Sequence, residues 1–244
     1  MIEDILNYIR LIIDFKIKNE NSDVWWRGTS DFTYELKPSV YRNDSPGKEH
    51  NSHFRFMRKA VSIYPKCPGE TEYLNWLFLM QHYGLPTRLL DWSESALVAL
   101  YFTSNEIEKH NKDGALYALL PSKLNNFEVE RNAIILPHDD LVQKISHEAF
   151  NQNKNGPKKI CALFPPLTDV RQVMQHSVFT IHGKTDSLSE PPFLNNSIFK
   201  FKVLKEHKKG VLEMIKMLGL NRSSLFPDLE NLSKEIAELK FVIR

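Results

Sequence analysis

The chain of 244 residues lacks most of the features that mark a metal, redox or membrane protein. Its two cysteines, Cys67 and Cys161, stand far apart and form no Cys-x-x-Cys pair, which argues against a zinc knuckle or a disulfide framework. No apolar stretch reaches the roughly 18 residues that cross a bilayer. The acidic start, Met1 to Asp4, has no basic segment of the kind that begins a signal peptide. We therefore expect a cytoplasmic protein with no metal and no membrane partner.

Several common catalytic and nucleotide-binding motifs are missing as well. The sequence has no Gly-x-Gly-x-x-Gly fingerprint, no Walker loop and no Gly-x-Ser-x-Gly elbow. His147-Glu148 lacks the second histidine of a zinc-protease motif. Away from the N-terminus, Asp139-Asp140 is the only adjacent acidic pair, and it is typical of a helix start. These absences argue against a Rossmann enzyme, a zinc protease, a serine hydrolase and a metal-dependent nuclease.

The charge is nearly balanced. There are 32 basic and 30 acidic residues, which give a net charge of +2. A dedicated nucleic-acid surface would need a larger basic excess, although a local patch such as Lys205 to Lys209 can still contact phosphates. A hydrophobic content of 42% and a charged content of 25% are those of an ordinary globular protein.

Helix and strand signals are both present, in separate stretches. Isoleucines three or four apart predict a helix over residues 2–17, and Tyr73, Trp76 and Met80 predict another that ends near Gly84. Further helices are predicted over residues 54–63, 93–104, 139–150, 208–218 and 228–239. Strands are predicted at 24–28, 115–120, 160–164, 177–181 and 199–204, with a weaker candidate at 133–136. We expect an α+β fold with a small mixed or antiparallel sheet and flanking helices. It would be one domain over residues 1–244, with an N-terminal helix (1–20), a core (21–204) and C-terminal helices (205–244).

The most unusual stretch runs from Gln81 to Trp92 with the sequence QHYGLPTRLLDW. It places a His, an Arg, an Asp and a Trp in what looks like one connection between two apolar helices. Two starts for the second helix are open. Asp91 with Glu94 resembles a capping box, whereas Ser93 as the cap would make Trp92 and Leu97 a hydrophobic staple.

Four stretches together resemble the FRG-domain family. They are Trp26-Arg27-Gly28; the run Gln81 to Trp92 followed by Ala99-Leu100-Tyr101-Phe102; Arg171 with Gln175 and Phe179-Thr180; and Gly219 with Leu225 to Leu229. Ser177 stands where the family usually has glycine. The resemblance implies a prokaryotic-type domain found in toxin, antiviral-defence or mobile-element settings, sometimes beside a partner protein.

A looser resemblance supplies a chemistry. A strand that ends in aromatic-Arg-Gly-Thr is similar to the first motif of arginine-type ADP-ribosyltransferases, which use NAD without a Rossmann fingerprint. The resemblance implies that Arg27 grips the NAD diphosphate and that Gly28 and Thr29 line the cofactor. A planar guanidinium is suited to this because it binds phosphate through two parallel hydrogen bonds.

The implied reaction splits the bond between nicotinamide and ribose, through a transition state that needs an anion near the ribose. The segment 171–179 contains no Glu to supply it, so the carboxylate would come from Asp91 or Glu72. Gln175 would hydrogen-bond a ribose hydroxyl, and His82 and Arg88 would complete the cofactor pocket. The ADP-ribose acceptor would be an unidentified protein or nucleic acid.

The same residues also have structural interpretations. Arg27 or Arg88 would simply pair with Asp91, His82 would satisfy carbonyls at a helix end, and the four tryptophans would be core. If the segment of Gln175 is a strand, its neighbour His176 points to the other face. Two alternatives to the enzyme hypothesis therefore stay open: a non-enzymatic sensor or binding module, and a nucleic-acid-processing domain.

Overall fold

A single antiparallel sheet organises the molecule. The computed structural model describes residues 2–42, 49–151, 155–166 and 169–238. Within those ranges six strands pair in the order β4-β5-β2-β1-β3-β6. Their bounds are β1 Trp25–Thr29, β2 Leu89–Ser93, β3 Gly114–Leu119, β4 Ile160–Leu163, β5 Ser177–His182 and β6 Ile198–Val203. The predicted α+β class is confirmed.

Helices flank the sheet. Their bounds are α1 Ile2–Lys18, α2 Glu49–Ala60, α3 Tyr73–His82, α4 Ala96–Ser104, α5 Pro121–Val129, α6 Asp140–Glu148, α7 Val170–Met174, α8 Lys208–Met217, α9 Arg222–Leu225 and α10 Leu229–Glu238. Among the described residues, no helix has the length and apolar character needed to cross a membrane.

The two faces of the sheet are covered differently. Because side chains alternate along a strand, Trp26 and Leu89 lie on one face, whereas their neighbours Trp25 and Leu90 lie on the other. On the first face, α3 and α6 pack over β2, β4 and β5, and α1, α4 and α8 pack over β1 and β3. On the second face, Trp25, Leu90 and Tyr117 pack against the loop residues Leu36 and Phe193. All four tryptophans are buried, as the structural interpretation predicted.

The predicted secondary structure needs correction in three places. Residues 89–93 form strand β2, and α4 begins later, with the Ser95 hydroxyl accepting from the Val98 N–H. Neither proposed start, Asp91 or Ser93, is therefore the helix cap. No helix was predicted directly after β3, but Pro121 begins α5, at a position where proline's missing N–H costs nothing. Residues 133–136 contribute one isolated bridge, between Ile135 and Leu163, instead of a strand.

Candidate functional site

The sheet opens in its middle, between β1 and β2. Each of these strands pairs over five residues with its outer neighbour, β3 or β5. Between themselves they share one pair, Trp26 with Ser93. A cleft of about 730 Å³ is lined by both strands, by the loop before the turn Ser39–Tyr41 and by α4. That volume is in the range of pockets that bind small molecules and cofactors.

Arg27 bridges the open part of the sheet. The His182 N–H donates to the Arg88 carbonyl on the β5 side, so the carbonyl of Asp91, three residues on, faces β1. Because β1 has diverged there, the Arg27 Nη1 donates to the Asp91 main-chain oxygen at 2.5 Å and lies 3.7 Å from its Oδ2. The structural interpretation of Arg27 as a partner of Asp91 therefore has a geometric basis.

The positive charge of the Arg27 guanidinium is only partly balanced by nearby hydrogen-bond acceptors and negative charges. Its side chain is 19% exposed, and its Nε is buried with no hydrogen-bond partner among the described residues. Burial lowers the pKa of Arg27, and the negative charge of Asp91 opposes that shift. A cation that is desolvated and has few acceptors is stabilised by an added anion.

Asp91 presents a carboxylate to the cleft. It follows Leu90 in β2, and its side chain is 55% exposed. The Gln81 Nε2 on α3 donates to Asp91 Oδ1 at 2.9 Å. Glu72, the other predicted source of a carboxylate, stands at the N-cap position of α3 and accepts from the Gly69 N–H, and it does not belong to the lining of this cleft.

Gly28 and Thr29 both line the cleft, as predicted, but Gly28 has a second task. A β-carbon built on Gly28 would lie 1.8 Å from the carbonyl oxygen of Ala99 in α4. The glycine is therefore required for the helix to approach the strand. The Thr29 hydroxyl donates to the Asp31 carbonyl at 3.1 Å, which fixes the turn after β1.

Gln175 lines the cleft from the end of a helix, not from a strand. It caps the C-terminus of α7, and β5 begins after His176, which has a left-handed φ of 48°. Gln175 is therefore not on a strand, so the condition under which Gln175 and His176 would point to opposite faces of the sheet is not met: this backbone reversal separates α7 from β5. The Gln175 Nε2 donates to the Leu225 carbonyl at 2.9 Å, and its main-chain oxygen accepts from the Ser93 hydroxyl.

Two predicted cofactor-binding residues lie outside the lining of this cleft. Arg88 is buried, donates to both Glu49 carboxylate oxygens at 2.9 and 2.7 Å, and lies 3.5 Å from Glu148. In an extended chain, residues three apart point in opposite directions, which separates Arg88 from Asp91. The expected Arg88–Asp91 pairing is therefore wrong. His82 ends α3, where its Nδ1 lies 3.1 Å from Asp169 Oδ2.

Other lining residues had no assigned role in the sequence prediction. Lys37, Tyr41 and Arg42 come from the segment around Ser39–Tyr41, whose sequence signals only a loop. Arg171 lies over the Phe226 ring, 4.6 Å from its centroid, and reaches the cleft from α7. Gln81 stood in the recognised run without a role, because an amide three residues before the proposed helix end near Gly84 and ten residues before an aspartate carries no pattern of its own.

Comparison with known families finds a match for the part of the chain that contributes most of the cleft lining, though not for Arg171, Gln175 and Ser177. Residues 22–112 match the family model described as FRG domain. That range contains both Trp26-Arg27-Gly28 and the run Gln81 to Trp92, so it confirms the resemblance that those two stretches carry. The other two stretches, around Arg171 and Leu225, lie beyond the match and stay predictions. No curated protein and no solved structure matches the chain significantly.

Proposed function

We propose that this chain, which carries an FRG domain, is an NAD-using ADP-ribosyltransferase or NAD glycohydrolase whose site is the cleft between β1 and β2. The observation that carries the proposal is the incompletely compensated Arg27 guanidinium, 3.7 Å from an exposed carboxylate, in a cleft of cofactor size. An anion-binding group beside a free carboxylate is what a diphosphate attached to a reacting ribose requires.

The charges around the cleft favour a ligand with a diphosphate. Its lining holds four cationic side chains (Arg27, Lys37, Arg42 and Arg171) and three carboxylates (Glu35, Asp91 and Glu106). Lys37 and Glu35 form an ion pair, so the cationic excess comes from the arginines. Arginine binds phosphate through a planar fork, and a water-excluding wall strengthens that attraction. In the proposed complex Arg27 holds the diphosphate, and Arg42 or Arg171 supports its outer oxygens.

Asp91 supplies the negative charge for bond cleavage. As the glycosidic bond breaks, nicotinamide leaves with the bonding electron pair, and positive charge develops on the ribose C1 and its ring oxygen. A carboxylate in the cleft stabilises that charge more than it stabilises the ground state, which is the condition for acceleration. Water or an acceptor nucleophile then bonds to C1 and loses its proton. Gln175, whose Nε2 is occupied by Leu225, retains its Oε1 as an acceptor for a ribose hydroxyl.

Aromatic side chains would receive the flat rings of NAD. Tyr34, Tyr41 and Phe102 contribute to the lining and are at least partly exposed. A planar ring gains from stacking against such side chains beyond the area it buries. The acceptor in a transfer reaction would be a protein or nucleic acid, and the toxin or antiviral-defence setting implied by the family belongs to this proposal.

The test measures free nicotinamide after incubation of the purified protein with NAD. We expect release by the native chain, and a loss of about 100-fold in kcat for Asp91→Asn, the size of a lost transition-state charge contact. Arg27→Lys should mainly raise KM, because an ammonium cannot bind a diphosphate bidentately. Asp186→Asn is the matched control, since Asp186 is also 55% exposed but lies outside the cleft.

Two outcomes would contradict the enzyme proposal. Absence of nicotinamide release with protein and nucleic-acid acceptors present, together with no thermal stabilisation by NAD, would favour a sensor or binding module, in which Arg27 only bridges the sheet. Salt-dependent binding of DNA or RNA without NAD turnover would favour the nucleic-acid alternative.

A further inference from the structure

A chain of hydrogen bonds leads from the protein interior to the Asp91 carboxylate. The Thr87 hydroxyl donates to the Gln81 Oε1. The Gln81 Nε2 donates in turn to Asp91 Oδ1 at 2.9 Å. Thr87 is fully buried, Gln81 is half-buried, and Asp91 is exposed in the cleft. All three residues belong to the run Gln81 to Trp92.

The direction of donation along these hydrogen bonds is fixed by the groups at the two ends of the series. A main-chain N–H can only donate, so the Leu89 N–H, 3.2 Å away, uses an acceptor site of the Thr87 hydroxyl. The hydroxyl keeps its own proton for Gln81. If the Gln81 amide were reversed, its Oε1 would face a carboxylate oxygen at 2.9 Å, and two acceptors would repel each other. The amide must therefore present its NH₂ group to Asp91.

The inner end of the chain is anchored to the wall of the cleft. The Thr87 N–H donates to the Ser39 hydroxyl at 3.4 Å, and the Thr87 carbonyl accepts from the Val40 N–H at 3.4 Å. The next two residues along this segment, Tyr41 and Arg42, line the cleft. Thr87 thus ties the segment that carries cleft residues to the residue that orients Asp91.

We propose that Gln81 and Thr87 are positioning residues that hold Asp91 as a fixed acceptor, so that the cleft takes a ligand offering hydroxyl donors or a developing cation at that point. Gln81 occupies Oδ1 and leaves Oδ2 toward the ligand, beside Arg27. An aspartate held in this way stabilises charge on the ribose and does not donate a proton to the leaving group. This inference rests on the proposed NAD chemistry and refines the role of Asp91 within it.

Two substitutions break the chain at different points. Gln81→Met removes the amide at a half-buried position and leaves the contacts of Thr87 with Leu89 and Ser39 in place. Thr87→Val keeps the shape of the buried side chain but removes the hydroxyl, and Thr87→Ser restores it. With NAD as substrate, we expect Gln81→Met and Thr87→Val to lower kcat about tenfold with KM changed less than twofold, and Thr87→Ser to stay near native, since a misplaced group costs rate more than binding.

A pH profile separates positioning from mere structural support. Gln81→Glu places a second carboxylate against Asp91, and two such groups share one proton. Its kcat should be far below native at pH 7 and should recover as the pH falls toward 5, whereas the native kcat should not rise in that interval. A residue that only supported the fold would give parallel profiles.

An NMR measurement on the Gln81 side chain tests the inference even if the protein does not use NAD. The side-chain NH₂ resonances of Gln81 should move on Asp91→Asn and on Thr87→Val, and return with Thr87→Ser. Unmoved Gln81 resonances, or an active native enzyme whose Gln81→Met and Thr87→Val variants keep kcat within twofold, would overturn the positioning role. Moved resonances with no NAD turnover by the native chain would uphold the hydrogen-bond chain and reject only the NAD chemistry.

Discussion

Gly28 occupies the point where β1, α4 and the cleft meet. The sequence prediction assigned it to the cofactor, since a glycine lets a ligand approach the backbone. The structure gives it a packing role as well, because the space of its missing side chain is filled by the Ala99 carbonyl of α4. These two roles predict different mutant behaviour.

We expect Gly28→Ala to destabilise the fold. An added methyl group 1.8 Å from a backbone oxygen cannot be relieved by a side-chain rotation, so α4 must move away from the sheet. A shift of this kind in a packed core costs about 3 kcal/mol. Chemical denaturation of the purified variant measures the loss in the free energy of unfolding.

Gly69→Ala is the control for this substitution. An added β-carbon there would meet the flexible end of Glu72 at 3.2 Å, so we expect a change within about 0.5 kcal/mol. A Gly28→Ala variant with native stability and weakened ligand binding would show that the glycine serves the ligand alone.

Strand β2 and the residue before it place the polar side chains of the run Gln81 to Trp92 in two different environments. Arg88, just before the strand, points into the interior and links α2 to α6 through Glu49, Glu148 and the Ile145 carbonyl at 2.8 Å. Asp91 points into the cleft. The hydrogen bonds and charges of Glu49 and Glu148 raise the pKa of Arg88 despite its burial, so the guanidinium stays charged.

We expect Arg88→Met to destabilise the chain by about 4 kcal/mol, because it removes the cation that pairs with the buried Glu49 carboxylate and one of the two that lie near Glu148. The double variant Arg88→Met/Glu49→Leu should regain part of this loss, since Glu148 keeps Lys158 at 3.1 Å. Thermal and denaturant unfolding measure both. Arg131→Met, at a half-exposed arginine, is the surface control and should change stability by at most about 1 kcal/mol. A single variant as stable as native would mean that the buried carboxylates are accommodated without Arg88.

Elements with a clear local pattern were predictable, and β2 was not. β1 and α3 carry an aromatic run and a helical repeat, and both lie within two residues of their predicted bounds. β2 is five residues long, contains an aspartate and a serine, and takes its register from β5, almost ninety residues later. Capping signals around Asp91 and Ser93 favoured a helix because nothing local reveals that distant partner.

The prediction of the site residues met the same limit, because it depended on which element each residue belongs to. Arg27 and Asp91 were predicted to meet, and they do, because each stands on a strand beside the opening of the sheet. Arg88 and Asp91 are three residues apart, a spacing that joins side chains on a helix and separates them on a strand. Misassigning the element therefore misplaced Arg88, whereas Lys37 and Arg42 were missed because an irregular segment has no periodicity to follow.

The dependence of folding stability on pH is a property of the whole molecule. We expect His182, the last residue of β5, to account for most of the stability that is lost as the pH falls. The ring is fully buried, its Nδ1 has no hydrogen-bond partner among the described residues, and its Nε2 lies 2.9 Å from the Thr180 hydroxyl. Burial, with the positive charges of Lys184 and Arg88, lowers the pKa of His182 to about 3. Burial also lowers the pKa of His53, which acts in the same direction.

The sign of the effect follows from proton linkage. The unfolded chain takes up the His182 proton near pH 6.5, whereas the folded chain does so only near pH 3, so the stability is fully present above pH 6.5 and is lost as the pH falls through that interval. Between pH 7 and pH 5 we expect His182 alone to cost about 2 kcal/mol in the free energy of unfolding. Denaturant titrations at the two pH values measure the loss.

His182→Phe should reduce the pH-dependent loss of stability by that amount, whatever the stability of the variant at pH 7. His138→Gln, at an exposed histidine, should leave the pH-dependent loss unchanged. Equal pH-dependent losses in the native chain and in His182→Phe would show that another group controls the acid response.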